Sequence, residues 1–118
     1  MLSDEELWQQ VKRLRGRTIC TITRRSENKI LEVTEREVII ERRVTRPSRD
    51  FIVKVYHYLC RKGEVTGDDW KQICGNTYCG KVGRITLAIL AEAVPDQIEV
   101  FVPAVRGKKS GIRKRQAY

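Results

Sequence analysis

Hydrophobic residues recur at helical spacing near the start of the chain. Leu7, Val11 and Leu14 follow one another at intervals of four and three residues, which places them on one face of a helix. Ser3 and Glu6 precede them with the spacing of a capping box, in which each side chain binds the backbone N–H of the other residue. The pattern predicts an amphipathic helix over about residues 4–15.

Three short runs rich in β-branched residues come next, at residues 17–23, 29–34 and 37–44. Turns are expected at residues 26–28 and 34–36. Because the connections are short, an antiparallel meander is the natural arrangement. Many alternate positions are charged, so one face of this sheet is expected to be buried and the other solvated.

The pattern then changes back to helical spacing. Ser48 and Gly63 have the residue types that begin and end helices, and they enclose an apolar stripe over residues 49–62. The remaining predicted elements are a short helix capped by residues 66–69, a glycine-rich loop at 75–83, an apolar helix that ends before Pro95, and a strand at 97–102.

These elements predict an α+β fold: an N-terminal helix, a three-stranded antiparallel meander, a helical trio that is helix-turn-helix-like, and a C-terminal edge strand. Residues 1–104 are expected to form one domain. Residues 105–118 are expected to form a flexible basic tail, since they are polar and lack periodicity.

The net charge of +9 gives information about the binding partner and not about the fold. Residues 12–62 hold 15 basic and 6 acidic side chains, and residues 105–118 hold 6 basic and no acidic ones. Such regions favour a polyanion, above all nucleic acid, because binding releases condensed counterions. The predicted nucleic-acid-binding residues are Arg42, Arg43, Arg46, Arg49, Lys81, Arg84, Arg106, Lys108, Lys109, Arg113, Lys114 and Arg115.

Lys81 and Arg84 lie where the third helix of the trio begins, the part that reads bases in a helix-turn-helix unit. The rest of this helix is very apolar. A core helix in an α+β domain is therefore as consistent with the pattern as a recognition helix.

The cysteines leave two interpretations open. His57, Cys60, Cys74 and Cys79 are residue types that could hold a structural zinc, or they are packed side chains with no metal. Without a signal peptide, free thiols or metal ligands are favoured over disulfides. No cofactor is predicted.

Catalytic motifs are sparse. Residues 75–81 match the glycines and lysine of a phosphate-binding loop, but Val82 stands where a magnesium-binding hydroxyl is required. A nucleophile activated by histidine would need His57, the only one in the chain. The sequence thus predicts a protein that is not an enzyme and has no catalytic residues.

The chain resembles a small prokaryotic domain family of unknown function, some of whose members lie near restriction or nuclease modules. The residues that carry the resemblance are, in order, Leu7-Trp8, Gly16-x-Thr18, Gly63-Glu-Val-Thr66 and Val94-Pro95. The resemblance covers residues 7–95. It implies a winged-helix-like fold and no catalytic residues, and the cysteines are not part of it.

The sequence therefore favours a non-enzymatic nucleic-acid-binding module, DNA more than RNA, with a regulatory role or an accessory role in defence or replication. The main alternative is an adaptor for an acidic protein partner, with or without a structural zinc. A homodimer is compatible with either. An acidic N-terminus and the absence of a long apolar run predict a cytoplasmic protein with no membrane contact.

Overall fold

The computed structural model describes residues 1–22, 25–75, 79–103, 107 and 109–115. It confirms the predicted α+β class, with a helix, a three-stranded antiparallel sheet, further helices and a second small sheet. In chain order the elements are α1 (Asp4–Lys12), β1 (Thr18–Cys20), β2 (Glu27–Val33), β3 (Val38–Ile40), α2 (Arg49–Lys62), β4 (Glu64–Thr66), α3 (Trp70–Cys74), α4 (Gly80–Ala93), β5 (Ile98–Phe101) and β6 (Gly111–Lys114).

The capping box of α1 is confirmed. The Glu6 N–H donates to Ser3 Oγ, and the Ser3 N–H donates to Glu6 Oε1, each at 3.1 Å. The helix ends at Lys12, earlier than predicted, because residues 13–16 form a turn. Leu14 still packs in the core from that turn.

The first sheet has the predicted meander order β1-β2-β3, with both pairs antiparallel. Its inward side chains, such as Ile19, Ile30 and Ile40, are buried. Three boundaries were wrong by two or more residues. β1 ends at Cys20 and not at residue 23. β2 already begins at Glu27, inside the expected turn, and β3 ends at Ile40 and not at Val44. Residues 41–46 are instead an exposed loop.

Helix α2 begins and ends as the sequence predicts. Ser48 Oγ accepts a hydrogen bond from the Phe51 N–H at 3.1 Å. Gly63 ends the helix with a φ of 92°, a left-handed conformation that glycine adopts without steric cost.

The expected flexible tail is wrong for residues 111–114. They form β6, the central strand of the second sheet, whose order is β4-β6-β5. Ile112 is fully buried between Val65 and Val100, its partners on the two neighbouring strands. Gly111 lies so close to β4 that a Cβ would be 2.9 Å from the Val65 carbonyl carbon and would overlap its oxygen. The domain therefore extends beyond residue 104.

Helix α4 lies at the centre of the molecule. It begins at Gly80, within the predicted loop, and is buried from Ile85 to Leu90. It packs against α1 and β1 as well as against α2, β5 and β6, and so joins the two sheets into one core. This burial agrees with the core-helix interpretation. In the first turn, Lys81 and Arg84 remain exposed.

Within the described ranges, no helix has the length and apolar character needed to cross a membrane.

Candidate nucleic-acid interface

Two connections and the first turn of a helix meet in a groove of about 380 Å³ at one end of the first sheet. They are the β1–β2 turn, the loop that follows β3, and the first turn of α4. We call this surface the basic groove. Its lining consists of Thr21, Ser26, Arg42, Arg43, Val44, Thr45, Lys81 and Arg84.

The basic groove unites two predicted sets of cations that are about 40 residues apart in sequence. Arg42 and Arg43 come from the loop after β3, and Lys81 and Arg84 come from α4. Among the described residues, no acidic side chain lines it. In the part of the chain that the structure describes, none of the four cations forms an ion pair. Their mutual repulsion makes the groove a site of positive potential that an anion would relieve.

Arg42 has a left-handed backbone, with a φ of 62°. This conformation is uncommon for a residue with a long side chain and costs on the order of 1 kcal/mol. Hydrogen bonds on both sides hold it, because the Glu41 N–H donates to the Lys29 carbonyl at 2.9 Å and the Arg43 N–H donates to the Ile40 carbonyl at 3.3 Å. The resulting turn brings both arginines to the groove.

Hydroxyl groups supply the uncharged part of the lining. Thr21 is buried, and its Oγ1 accepts a hydrogen bond from the Ser26 N–H at 3.0 Å, which closes the β1–β2 turn. Thr45 and Ser26 are exposed. Hydroxyls beside cations are common phosphate-binding groups.

The start of α4 adds to the positive potential. No acidic residue lies in its first turn, and the side chain of Cys79 at the N-cap position makes no capping hydrogen bond to the helix. The positive end of the helix dipole is therefore not neutralised by the first-turn side chains. Lys81 and Arg84 reinforce it.

The other predicted cations of the loop and α2 have partners. Arg46 pairs with Glu37 at 3.0 Å. Arg49 pairs with Glu5 at 2.8 Å and also lies 5.4 Å from the centre of the Trp8 ring. The hydrogen bond from Arg49 holds the pKa of the Glu5 carboxyl below its ordinary value. Both arginines thus join secondary-structure elements to one another.

The cations of the C-terminal region are also engaged. Arg113 and Arg115 both pair with Glu99, at 2.7 and 3.4 Å. Lys109 pairs with Asp68 at 3.0 Å, and Lys114 Nζ donates to the Cys60 carbonyl at 2.9 Å. Arg106 and Lys108 were also predicted, but they lie outside the described residues.

Sequence reasoning missed the uncharged lining of the basic groove: Thr21, Ser26, Val44 and Thr45. Because the predicted strand extended to Val44, the loop that begins at residue 41 was not predicted. One signal was available, since Glu41, Arg42 and Arg43 are consecutive charged residues that break the alternation of a half-buried strand.

The four residues of the zinc hypothesis do not come together. Cys74 and Cys79 are joined by a disulfide, which corrects the expectation that the cysteines are free thiols or ligands. Cys20 and Cys60 are free. His57 Nε2 lies 2.7 Å from Asp4 Oδ1. Across the described ranges, no three His, Cys, Asp or Glu residues are grouped to hold a metal.

Comparison with known proteins adds no assignment. A scan against protein-family models, a search of curated proteins and a search of solved structures each returned no match to this chain. The described residues that line the basic groove offer guanidinium, ammonium and hydroxyl groups, and none of them has a carboxylate, imidazole or thiol. This set suits the binding of an anion better than proton transfer or nucleophilic attack.

Proposed function

We propose that this protein is a non-enzymatic nucleic-acid-binding module, and that the basic groove is its contact with the phosphate backbone of DNA. The observation that carries the proposal is the convergence of Arg42, Arg43, Lys81 and Arg84 on one groove whose described lining includes no acidic residue. Arginine and lysine are the side chains that most often contact phosphate in protein–DNA complexes.

The connectivity gives independent support. From α2 onward the order is helix, strand, two helices and a two-stranded hairpin, with the strands arranged β4-β6-β5. This order resembles that of winged-helix domains, in which the second helix of the pair contacts DNA. Here α4 is buried from Ile85 to Leu90, so a contact is limited to its first turn, where Lys81 and Arg84 lie.

The ion pairs of the other cations limit the proposed DNA contact to the cations of the basic groove. Arg46, Arg49, Arg113 and Arg115 would have to break ion pairs within the protein before they could bind phosphate. Within the described ranges, the cations of the basic groove have no ion pair to break. Each phosphate neutralised on a duplex lowers the slope of log K against log salt by about 0.9, so four contacts predict a slope of about −3.6.

A salt titration tests the proposal. Fluorescence anisotropy of a labelled random-sequence duplex should give binding at low salt that weakens with a slope of about −3.6 or steeper. Failure to bind duplex DNA at low salt would contradict the proposal. Tight binding to polyglutamate in the same assay, with none to DNA, would favour the alternative of an adaptor for an acidic protein.

A further inference from the structure

The loop after β3 is a ridge between two depressions. Arg42 and Arg43 line both of them. Residues 41–46 are all exposed, and Val44 is 98% exposed. Arg42, Arg43 and Val44 are therefore exposed on a loop that has a depression on either side.

The two depressions differ in charge. On one side lies the basic groove, where Lys81 and Arg84 face the ridge without an acidic neighbour in the lining. On the other side, Lys29 is accompanied by Glu27 and Glu41. Phosphates are thus favoured on the α4 side of the ridge. The side chains of Arg42 and Arg43 can extend past that phosphate strand into a groove of the duplex, where they still neutralise the phosphates that border it.

Val44 has no evident role in phosphate binding. A valine side chain that is 98% exposed neither stabilises the core nor attracts an anion. Next to unpaired arginines, however, it matches a known mode of contact. Proteins that enter the minor groove combine arginines with an apolar side chain that wedges against a base step.

The minor groove also suits a loop that carries arginine side chains. The minor groove of B-DNA is about 6 Å wide, too narrow for a helix but sufficient for extended arginine side chains. Where it is narrow, as in A·T-rich tracts, its negative potential attracts arginine. The loop after β3 presents two exposed arginines and is not a helix. It therefore suits both the width of the minor groove and its negative potential.

We propose that residues 42–44 enter the minor groove of duplex DNA, with a preference for A·T-rich sequence, while Lys81 and Arg84 hold the adjacent phosphate strand. This inference rests on the proposed function. It selects duplex over single strands, because the described residues of the groove lining include no aromatic side chain on which unpaired bases could stack.

Competition with groove-specific ligands tests this inference. Full-length protein bound to an A·T-rich duplex should be displaced by netropsin, which occupies the minor groove, and not by methyl green, which occupies the major groove. Displacement by methyl green alone, or by neither ligand, would overturn the minor-groove contact and leave DNA binding intact. Absence of any DNA binding would instead remove the proposed function.

Two double variants give a second readout. Arg42→Asn with Arg43→Gln should reduce the preference for an A·T-rich over a G·C-rich duplex by roughly fivefold or more, the loss of about one good base contact. Asparagine is chosen because it tolerates the left-handed backbone of residue 42. Lys81→Gln with Arg84→Gln should weaken binding to both duplexes equally. If the Arg42/Arg43 variant also lost the same factor of affinity for both duplexes, its sequence preference would be unchanged and the inference would be overturned. Circular dichroism checks that each variant is folded.

Discussion

Gly83 of α4 lies directly against the indole ring of Trp70. A Cβ at residue 83 would be 2.6 Å from both Cε2 and Cη2 of that ring. Trp70 is buried and begins α3, so its ring cannot move away easily. The close approach of this one pair fixes α3 against the part of α4 that carries Lys81 and Arg84.

Gly83→Ala should therefore destabilise the protein. Overpacking in a core costs about 1–3 kcal/mol, which outweighs the gain of up to about 1 kcal/mol from replacing glycine in a helix. Gly80→Ala is the matched control, because its Cβ would lie 3.7 Å from Trp70 Cδ1, an ordinary contact. Urea unfolding measures both. A Gly83→Ala protein as stable as the control would contradict this packing.

Removal of β6 should unfold the domain. Truncation after Ser110 deletes the strand that pairs with both β4 and β5, and with it the buried Ile112. Truncation after Arg115 retains the strand and is the control. We expect the shorter chain to lose its cooperative thermal transition and the longer one to keep it. A cooperative transition in the shorter chain would restore the interpretation of a dispensable tail.

Tyr58 should make stability fall at alkaline pH. Burial, together with a hydrogen bond to Asp69 Oδ1 at 2.7 Å, raises the pKa of Tyr58 from 10.0 to about 12. The folded state thus holds this proton more tightly than the unfolded state. The stabilisation is complete below pH 10 and is lost as the pH rises towards about 12.

Tyr58→Phe tests this dependence. The variant should be less stable near neutral pH by about 1–2 kcal/mol, because the hydrogen bonds to Asp69 and Gln72 are lost. The difference between variant and parent should shrink above pH 10. Burial raises the pKa of Tyr56 as well, so the variant retains part of the alkaline loss. A difference in unfolding free energy that stays constant up to pH 12 would contradict the assignment to Tyr58.

Reduction of the disulfide should lower the melting temperature. Cys74 and Cys79 close a short loop of sequence separation 5, and loop closure of this size contributes about 2 kcal/mol. Cys74→Ser with Cys79→Ser should melt at the temperature of the reduced parent and should not respond to dithiothreitol. Identical melting of the parent with and without reductant would contradict a stabilising disulfide.

Local signals predicted most of the helices and the first sheet. Ser48 and Gly63 bounded α2 correctly because capping depends on residues close in sequence. The capping box of Ser3 and Glu6 predicted the start of α1 correctly for the same reason. Periodicity was also sufficient for the meander, whose strands are joined by short connections.

Strand β6 could not be predicted from such signals. Its only large apolar residue is Ile112, and its neighbours Arg113 and Lys114 resemble a solvated tail. What makes it a strand is pairing with β4 and β5 over long sequence separations, a tertiary effect that overrides local composition. The charge pattern correctly drew attention to Lys81 and Arg84, but their proximity to Arg42 and Arg43 depends on how α4 packs on the first sheet.

Two variants of equal net charge test most directly which cations contact nucleic acid. One replaces the cations of the basic groove by Arg42→Asn, Arg43→Gln, Lys81→Gln and Arg84→Gln. The control replaces four exposed, ion-paired arginines outside that groove, by Arg15→Gln, Arg17→Gln, Arg113→Gln and Arg115→Gln.

The measurement is the slope of log K against log salt for one duplex, in folded preparations of both variants and the parent. We predict that the groove variant loses about 3.6 from the magnitude of the slope, or 0.9 for each cation removed, and that the control stays close to the parent. Equal losses in the two variants would mean that net charge and not the basic groove governs binding, and would contradict the account.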